Sequence, residues 1–175
     1  RQIVRFSEVL SPPEYDEAKC DARVWLAGGF DAQCSCKKIN GQFLCKKHQN
    51  EADKHDGKLL MVKAKGNTSR AVYLYDDATR KLSPLFGQDE EEQYSVAFNH
   101  QGDILTLTNK FDDFKRLYLY QGGKFKAVTE AKPYDIASFF TDRQKTRIHL
   151  RLVKEGRFSF AFLDREGNAL KGPEF

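Results

Sequence analysis

A pattern of short strands returns along this chain at a spacing of 45 residues. His55-Asp56-Gly57-Lys58-Leu59-Leu60 comes back as His100-Gln101-Gly102-Asp103-Ile104-Leu105. Ala71-Val72-Tyr73-Leu74-Tyr75 comes back as Arg116-Leu117-Tyr118-Leu119-Tyr120. Ile148-His149-Leu150-Arg151-Leu152, followed by Phe158-Ser159-Phe160-Ala161-Phe162, reads as a looser third copy. Each copy is a strand, a polar loop, a strand alternating with period two, and a turn, as a half-buried sheet requires. His55 and His100 fall at equivalent places, so both are expected to serve a turn. A strand-built period of 40 to 50 residues suggests propeller-like blades. Three units do not close a ring, so an open sheet or sandwich is the other arrangement the repeat allows.

Before the repeats, all four cysteines fall within 26 residues, and a histidine closes the group. Cys20, Cys34-Ser35-Cys36 and Cys45-Lys46-Lys47-His48 offer five donors for the four places of a tetrahedral zinc ion. Two disulfides are the alternative use of four cysteines. Crowding beside a histidine, and the lack of cysteine in the rest of the chain, favour metal and hence a reducing compartment, cytosol or nucleus. The pair Asn40-Gly41, set between Lys37-Lys38-Ile39 and Gln42-Phe43-Leu44, predicts a β-hairpin. Residues 45–56 are free of Pro until the strand begins and predict a helix, on which Cys45 and His48 share a face. One set of four ligands is Cys20, Cys34, Cys45 and His48, and another uses Cys36 in place of Cys20. Four protein ligands leave no open coordination position, so the metal is expected to be structural.

The reading is therefore mainly β, in three parts. Residues 1–19 form an extended arm, with a strand around Ile3–Phe6 and a helical turn over Glu14–Lys19. Residues 20–56 form a small zinc-binding hairpin and helix, and 57–175 carry the repeated antiparallel strands. No signal-peptide pattern and no run of 18 apolar residues is present, so no membrane helix is expected.

Two resemblances add to this. Val96-Ala97-Phe98-Asn99-His100-Gln101-Gly102-Asp103-Ile104-Leu105 and Arg116-Leu117-Tyr118-Leu119-Tyr120 resemble TolB-like β-propeller repeats, with Asn99-His100-Gln101-Gly102 where that family has a Ser-Pro-Asp-Gly type of turn. The likeness covers roughly residues 57–170 and implies blades. Cys20-Asp21-Ala22-Arg23-Val24-Trp25, then Gln33-Cys34, Gly41 and Cys45-Lys46-Lys47-His48, is similar to a short zinc-binding motif in proteins of algae, protists and large DNA viruses. That resemblance implies Cys20, Cys34, Cys45 and His48 as ligands and leaves Cys36 spare.

No nucleophile elbow, phosphate loop or catalytic set stands out. The leading expectation is a non-enzymatic binding or assembly module whose sheet surface meets a protein partner. A second expectation is nucleic-acid binding. The net charge of +4 permits it, and Lys37, Lys38, Lys46 and Lys47, with Arg23 and Trp25 nearby, would form the contact face. A third is that the repeats are the propeller part of a longer hydrolase. The aromatic strands Tyr73, Tyr75, Tyr118, Tyr120, Phe139-Phe140 and Phe158, Phe160, Phe162 are expected to serve mostly as sheet core.

Overall fold

The computed structural model describes residues 4–5, 16–25, 31–65 and 68–172, without the side chains of residues 4, 5, 23–25, 31, 32 and 65. It is mainly β, with three four-stranded antiparallel sheets. In chain order the strands are β1 Val4–Arg5, β2 Arg23–Trp25 and β3 Asp31–Gln33. Helix α1 Lys46–Asp53 follows, then β4 Lys58–Lys65, β5 Ser69–Asp76 and β6 Lys81–Phe86. The second half holds β7 Ser95–Phe98, β8 Ile104–Thr108, β9 Arg116–Gln121, β10 Lys124–Ala127, β11 Asp135–Thr141, β12 Arg147–Lys154, β13 Arg157–Asp164 and β14 Ala169–Leu170.

Sheet I has the order β1-β6-β5-β4. Sheet II is the meander β7-β8-β9-β10, and sheet III is the meander β11-β12-β13-β14. Strands β2 and β3 form a separate pair. The chain divides into two compact units, Arg1–Glu91 with sheet I and Glu92–Phe175 with sheets II and III. The sequence repeats become the hairpins β4–β5, β8–β9 and β12–β13. Even the turns agree: Gly57 and Gly102, 45 residues apart, both take positive φ, +74° and +83°. Asn99 Oδ1 accepts from the N–H of Gln101 and of Asp103, both at 2.9 Å, so the side chain writes the turn that glycine completes.

The repeat breaks at one place. At the same 45-residue offset, β7 falls on residues 50–53, and these are helical, inside α1. Among the described residues sheet I therefore has no strand outside β4, and its fourth strand is β1 on the opposite edge, with Val4 opposite Leu82.

Each unit has its own core. In the first, Leu59 pairs with Tyr75, Met61 with Tyr73, and Tyr75 with Leu82, so these side chains share one face of sheet I. That face packs with Cys20, Ala22, Cys34, Leu44, Cys45 and Ala52 in a single cluster. In the second unit, Leu105, Leu107 and Leu117 of sheet II meet Ile136, Ile148, Leu150 and Leu163 of sheet III. Leu119 packs on the same cluster. Burying such side chains contributes about 1.5–3 kcal/mol each.

Gly167, in the β13–β14 turn, is held at φ +94°, and a Cβ there would lie 2.9 Å from Val128 Cγ1. Gly102 has a similar φ with open space around it. Gly167→Ala is expected to cost about 2 kcal/mol and Gly102→Ala about 1 kcal/mol, read as thermal midpoints. Equal costs would mean that the contact with Val128 is irrelevant.

A candidate metal centre

The described residues between Asp16 and Leu44 form little regular structure, and backbone hydrogen bonds hold them in place. Cys20 N–H donates to Cys36 C=O (2.9 Å), Asp21 N–H to Phe43 C=O (2.9 Å) and Cys34 N–H to Ala22 C=O (2.8 Å). The Asn40-Gly41 turn forms: Gln42 N–H donates to Ile39 C=O (2.9 Å), Ile39 N–H to Leu44 C=O (3.1 Å), and Gly41 takes φ +77°. The expected hairpin ladder does not. Residues 37–44 make a tight knuckle instead, because the bonds from Lys38 N–H to Ala18 C=O and from Asp21 N–H to Phe43 C=O draw their backbone groups away from a strand partner. The chain then enters α1 with Cys45 at its N-cap, in extended geometry.

These connections bring Cys20, Cys34, Cys45 and His48 together, with one donor atom from each within 4.8 Å of the others. His48 Nδ1 is 3.3 Å from Cys20 Sγ and 3.4 Å from Cys45 Sγ. The edges of a tetrahedral zinc site, built from standard bond lengths, are about 3.6 Å for S···N and about 3.8 Å for S···S. The two S···N separations at His48 are close to that edge, and the four donors could hold a metal ion. The three cysteines are buried, Cys20 completely, and all four cysteines of the chain are free thiols.

The thiols are not alike. Burial pushes the Cys20 thiol up to about 12. Burial also pushes Cys45 upward, but the N–H of His48, the Cys20 thiol and the N–H of Lys47 outweigh it, and the net direction is down. A helix N-terminus favours a thiolate in this way. His48 is lowered, first by burial and then by the Lys47 charge, which keeps the imidazole neutral and able to donate its lone pair. Cys36 is exposed and lies outside the four-donor group. Its thiol is raised, first by contact with Cys34.

The basic residues of this segment are divided in use. Lys38 turns inward: its Nζ lies 2.7 Å from Asp21, a carboxylate that is 1% exposed. Arg80, from the β5–β6 turn, reaches the other oxygen of Asp21 at 3.0 Å and lies 3.2 Å from the centre of the Phe43 ring. Lys37, Lys46 and Lys47 are exposed. The side chains of Arg23 and Trp25 lie outside the described residues. Asp21, Phe43 and Arg80 escaped the sequence reading, since an Asp beside a cysteine carries no sign of being buried.

In the second unit, a cleft of about 400 Å³ opens where sheets II and III join. Its walls include Val128, Ile136, Leu152 and Ala161, and its rim includes Lys115 and Tyr134. No motif announces it, because its residues come from five separate stretches of chain.

No protein-family model matches the chain, and no curated protein does. Among solved structures it is similar to TolB from Acinetobacter baumannii, at 15% identity and a TM-score of 0.51. The match covers 68% of this chain and 31% of that one, so this chain spans under a third of the TolB structure. At that identity the likeness shows the fold alone. Sheets I to III are propeller-like blades in form, and among the described residues no helix is long and apolar enough to cross a membrane.

Proposed function

We propose that this protein is a non-enzymatic, zinc-stabilised binding and assembly module that presents β-sheet surface to a protein partner. The observation that carries the reading is the set of four protein donors within 4.8 Å of one another. Three thiolates and one imidazole suit zinc, and a fourth protein ligand fills the position that a catalytic zinc keeps for water. Cys20, Cys34, Cys45 and His48 are the ligands, with Cys36 outside the shell. Four free thiols support a reducing compartment, cytosol or nucleus. The cleft between sheets II and III supports protein binding: apolar walls take side chains and a charged rim orients them.

Elemental mass spectrometry of untagged protein is expected to give one zinc per chain. A partner that co-purifies at fixed stoichiometry is expected to be lost with Leu152→Asp, a change in the cleft wall, with zinc content intact. Turnover that depends on His48 while the fold is retained would overturn the reading. The 31% coverage of TolB supports a second reading, that these blades belong to a longer propeller protein. The mass of the natural protein tests it.

A further inference from the structure

Sheet III buries one face against sheet II and leaves the other open. Strand register places the open-face residues in rows. Phe140, His149, Phe162 and Leu170 form one row, and Arg151 and Phe160 lie in the next, with Phe158 beyond. Phe140, Phe158 and Phe160 are 52%, 64% and 62% exposed. His149 is stacked on Phe140 (4.6 Å) and meets the edge of Phe162 (5.0 Å), which holds these rings upright. The Arg151 guanidinium lies 5.0 Å from the Phe158 ring centre. Beside them a hollow of about 410 Å³ is lined by Arg147, His149, Phe162, Leu170, Lys171 and Gly172.

The same unit shows what a face built to receive a protein sheet looks like. Sheet II meets sheet III with Leu105, Leu107, Leu117 and Leu119, four uncharged aliphatic side chains. The open face has flat rings instead, with cations along its central strand at Arg147 and Arg151. Among the described residues neither guanidinium is paired with a carboxylate. Asp164, in register with Arg147, is held by its own turn, accepting from Asn168 N–H at 2.7 Å and Glu166 N–H at 3.0 Å. An aliphatic sheet closing over this face would bury two unpaired guanidiniums, at high cost. A polyanion with unpaired bases meets both needs: phosphates neutralise the cations and bases stack on the rings. Phe158 and Phe160 alternate along one strand about 7 Å apart, so each ring can take its own base of an extended strand.

We infer that the open face of sheet III binds single-stranded nucleic acid, with Phe158 and Phe160 as stacking platforms and Arg147, Arg151 and Lys171 as phosphate contacts. The inference goes beyond the protein-binding reading, which uses the cleft on the other side of the sheet. It also differs from binding through the lysines of the metal segment.

The test is fluorescence anisotropy of the whole zinc-loaded chain with a 15-mer of deoxythymidine, a 15-mer of uridine and a duplex of equal length. Either single strand is expected to bind at least 10-fold more tightly than the duplex. The affinity should fall with salt at a log–log slope near −2, the value for three cations on a single strand, roughly −0.7 each. The double change Phe158→Ala and Phe160→Ala is expected to weaken binding at least 10-fold. Arg151→Glu should weaken it and flatten the salt slope. The rings are exposed, so an unchanged thermal midpoint checks the fold. Lys46→Glu with Lys47→Glu should leave affinity unchanged. Absence of binding at low salt, equal binding of duplex, or loss only with the lysine pair would each overturn the inference. Comparison of the two single strands shows whether the ligand is RNA or DNA.

Discussion

Removal of the metal is expected to unfold the first unit and leave the second standing. Cys20, Cys34 and Cys45 belong to the same buried cluster as Leu44, Leu59, Met61, Tyr75 and Leu82. Metal bonds made there would be continuous with that apolar packing. Among the described residues of 16–44, regular structure is limited to the short strands β2 and β3. A structural zinc supplies about 10–16 kcal/mol of apparent binding energy at neutral pH. That exceeds the whole net stability of an ordinary domain, about 5–15 kcal/mol. Chelation, or Cys45→Ser, should therefore abolish one of two thermal transitions. The other belongs to the core of Leu105, Leu117, Ile136, Ile148 and Leu150 and should persist. Cys36→Ser should keep both the metal and both transitions. Two unchanged transitions after complete metal loss would show that the cluster is a passive neighbour of the core, and a Cys36 variant that loses metal would move the ligand.

Asp21→Ala is expected to be the most damaging change outside the ligands. The Asp21 carboxylate is 1% exposed and joins Lys38 of the knuckle to Arg80 of the β5–β6 turn, at 2.7 and 3.0 Å. It pins the cysteine segment to sheet I through charge. Breaking a buried ion pair costs about 3–5 kcal/mol. The Arg80 side chain is 42% exposed and regains water when released, so the lower end, about 3 kcal/mol, is expected. The midpoint of the first transition should fall by about 12–24 °C. Arg80→Ala should cost less, because the Lys38 contact remains. If Asp21→Ala and Arg80→Ala cost the same small amount, the carboxylate is solvated and the pair is ornamental.

The clustering of three cysteines with His48 and the strand repeats were legible because each is a local pattern. Cys45 and His48 share a helix face by spacing alone, and Tyr73 and Tyr75 alternate as a strand must. The repeat also carried the turns, down to the positive φ of Gly57 and Gly102. What could not be read was set by contacts between distant segments. Asn40-Gly41 makes its turn, yet the ladder is lost to the bonds from Lys38 to Ala18 and from Asp21 to Phe43. The Tyr118 and Tyr120 side chains went inside, as aromatic alternation suggests, and pack with Phe125. Phe158 and Phe160, written in the same alternation, stayed in water. Alternation names the two faces of a strand and does not say which of them finds a neighbour.

The exchange of a strand for α1 in the first repeat gives sheet I a finished side. Repeat arrays require terminal pieces that refuse further stacking. Here the face bearing Tyr73 and Tyr75 packs with Cys20, Cys34 and Cys45. An ion held by those residues would be the stopper of that side. Were that ion lost, the first unit would open, and its uncovered tyrosines and unpaired strand segments would be adhesive. Metal supply would then govern whether sheets of this kind remain separate or polymerise.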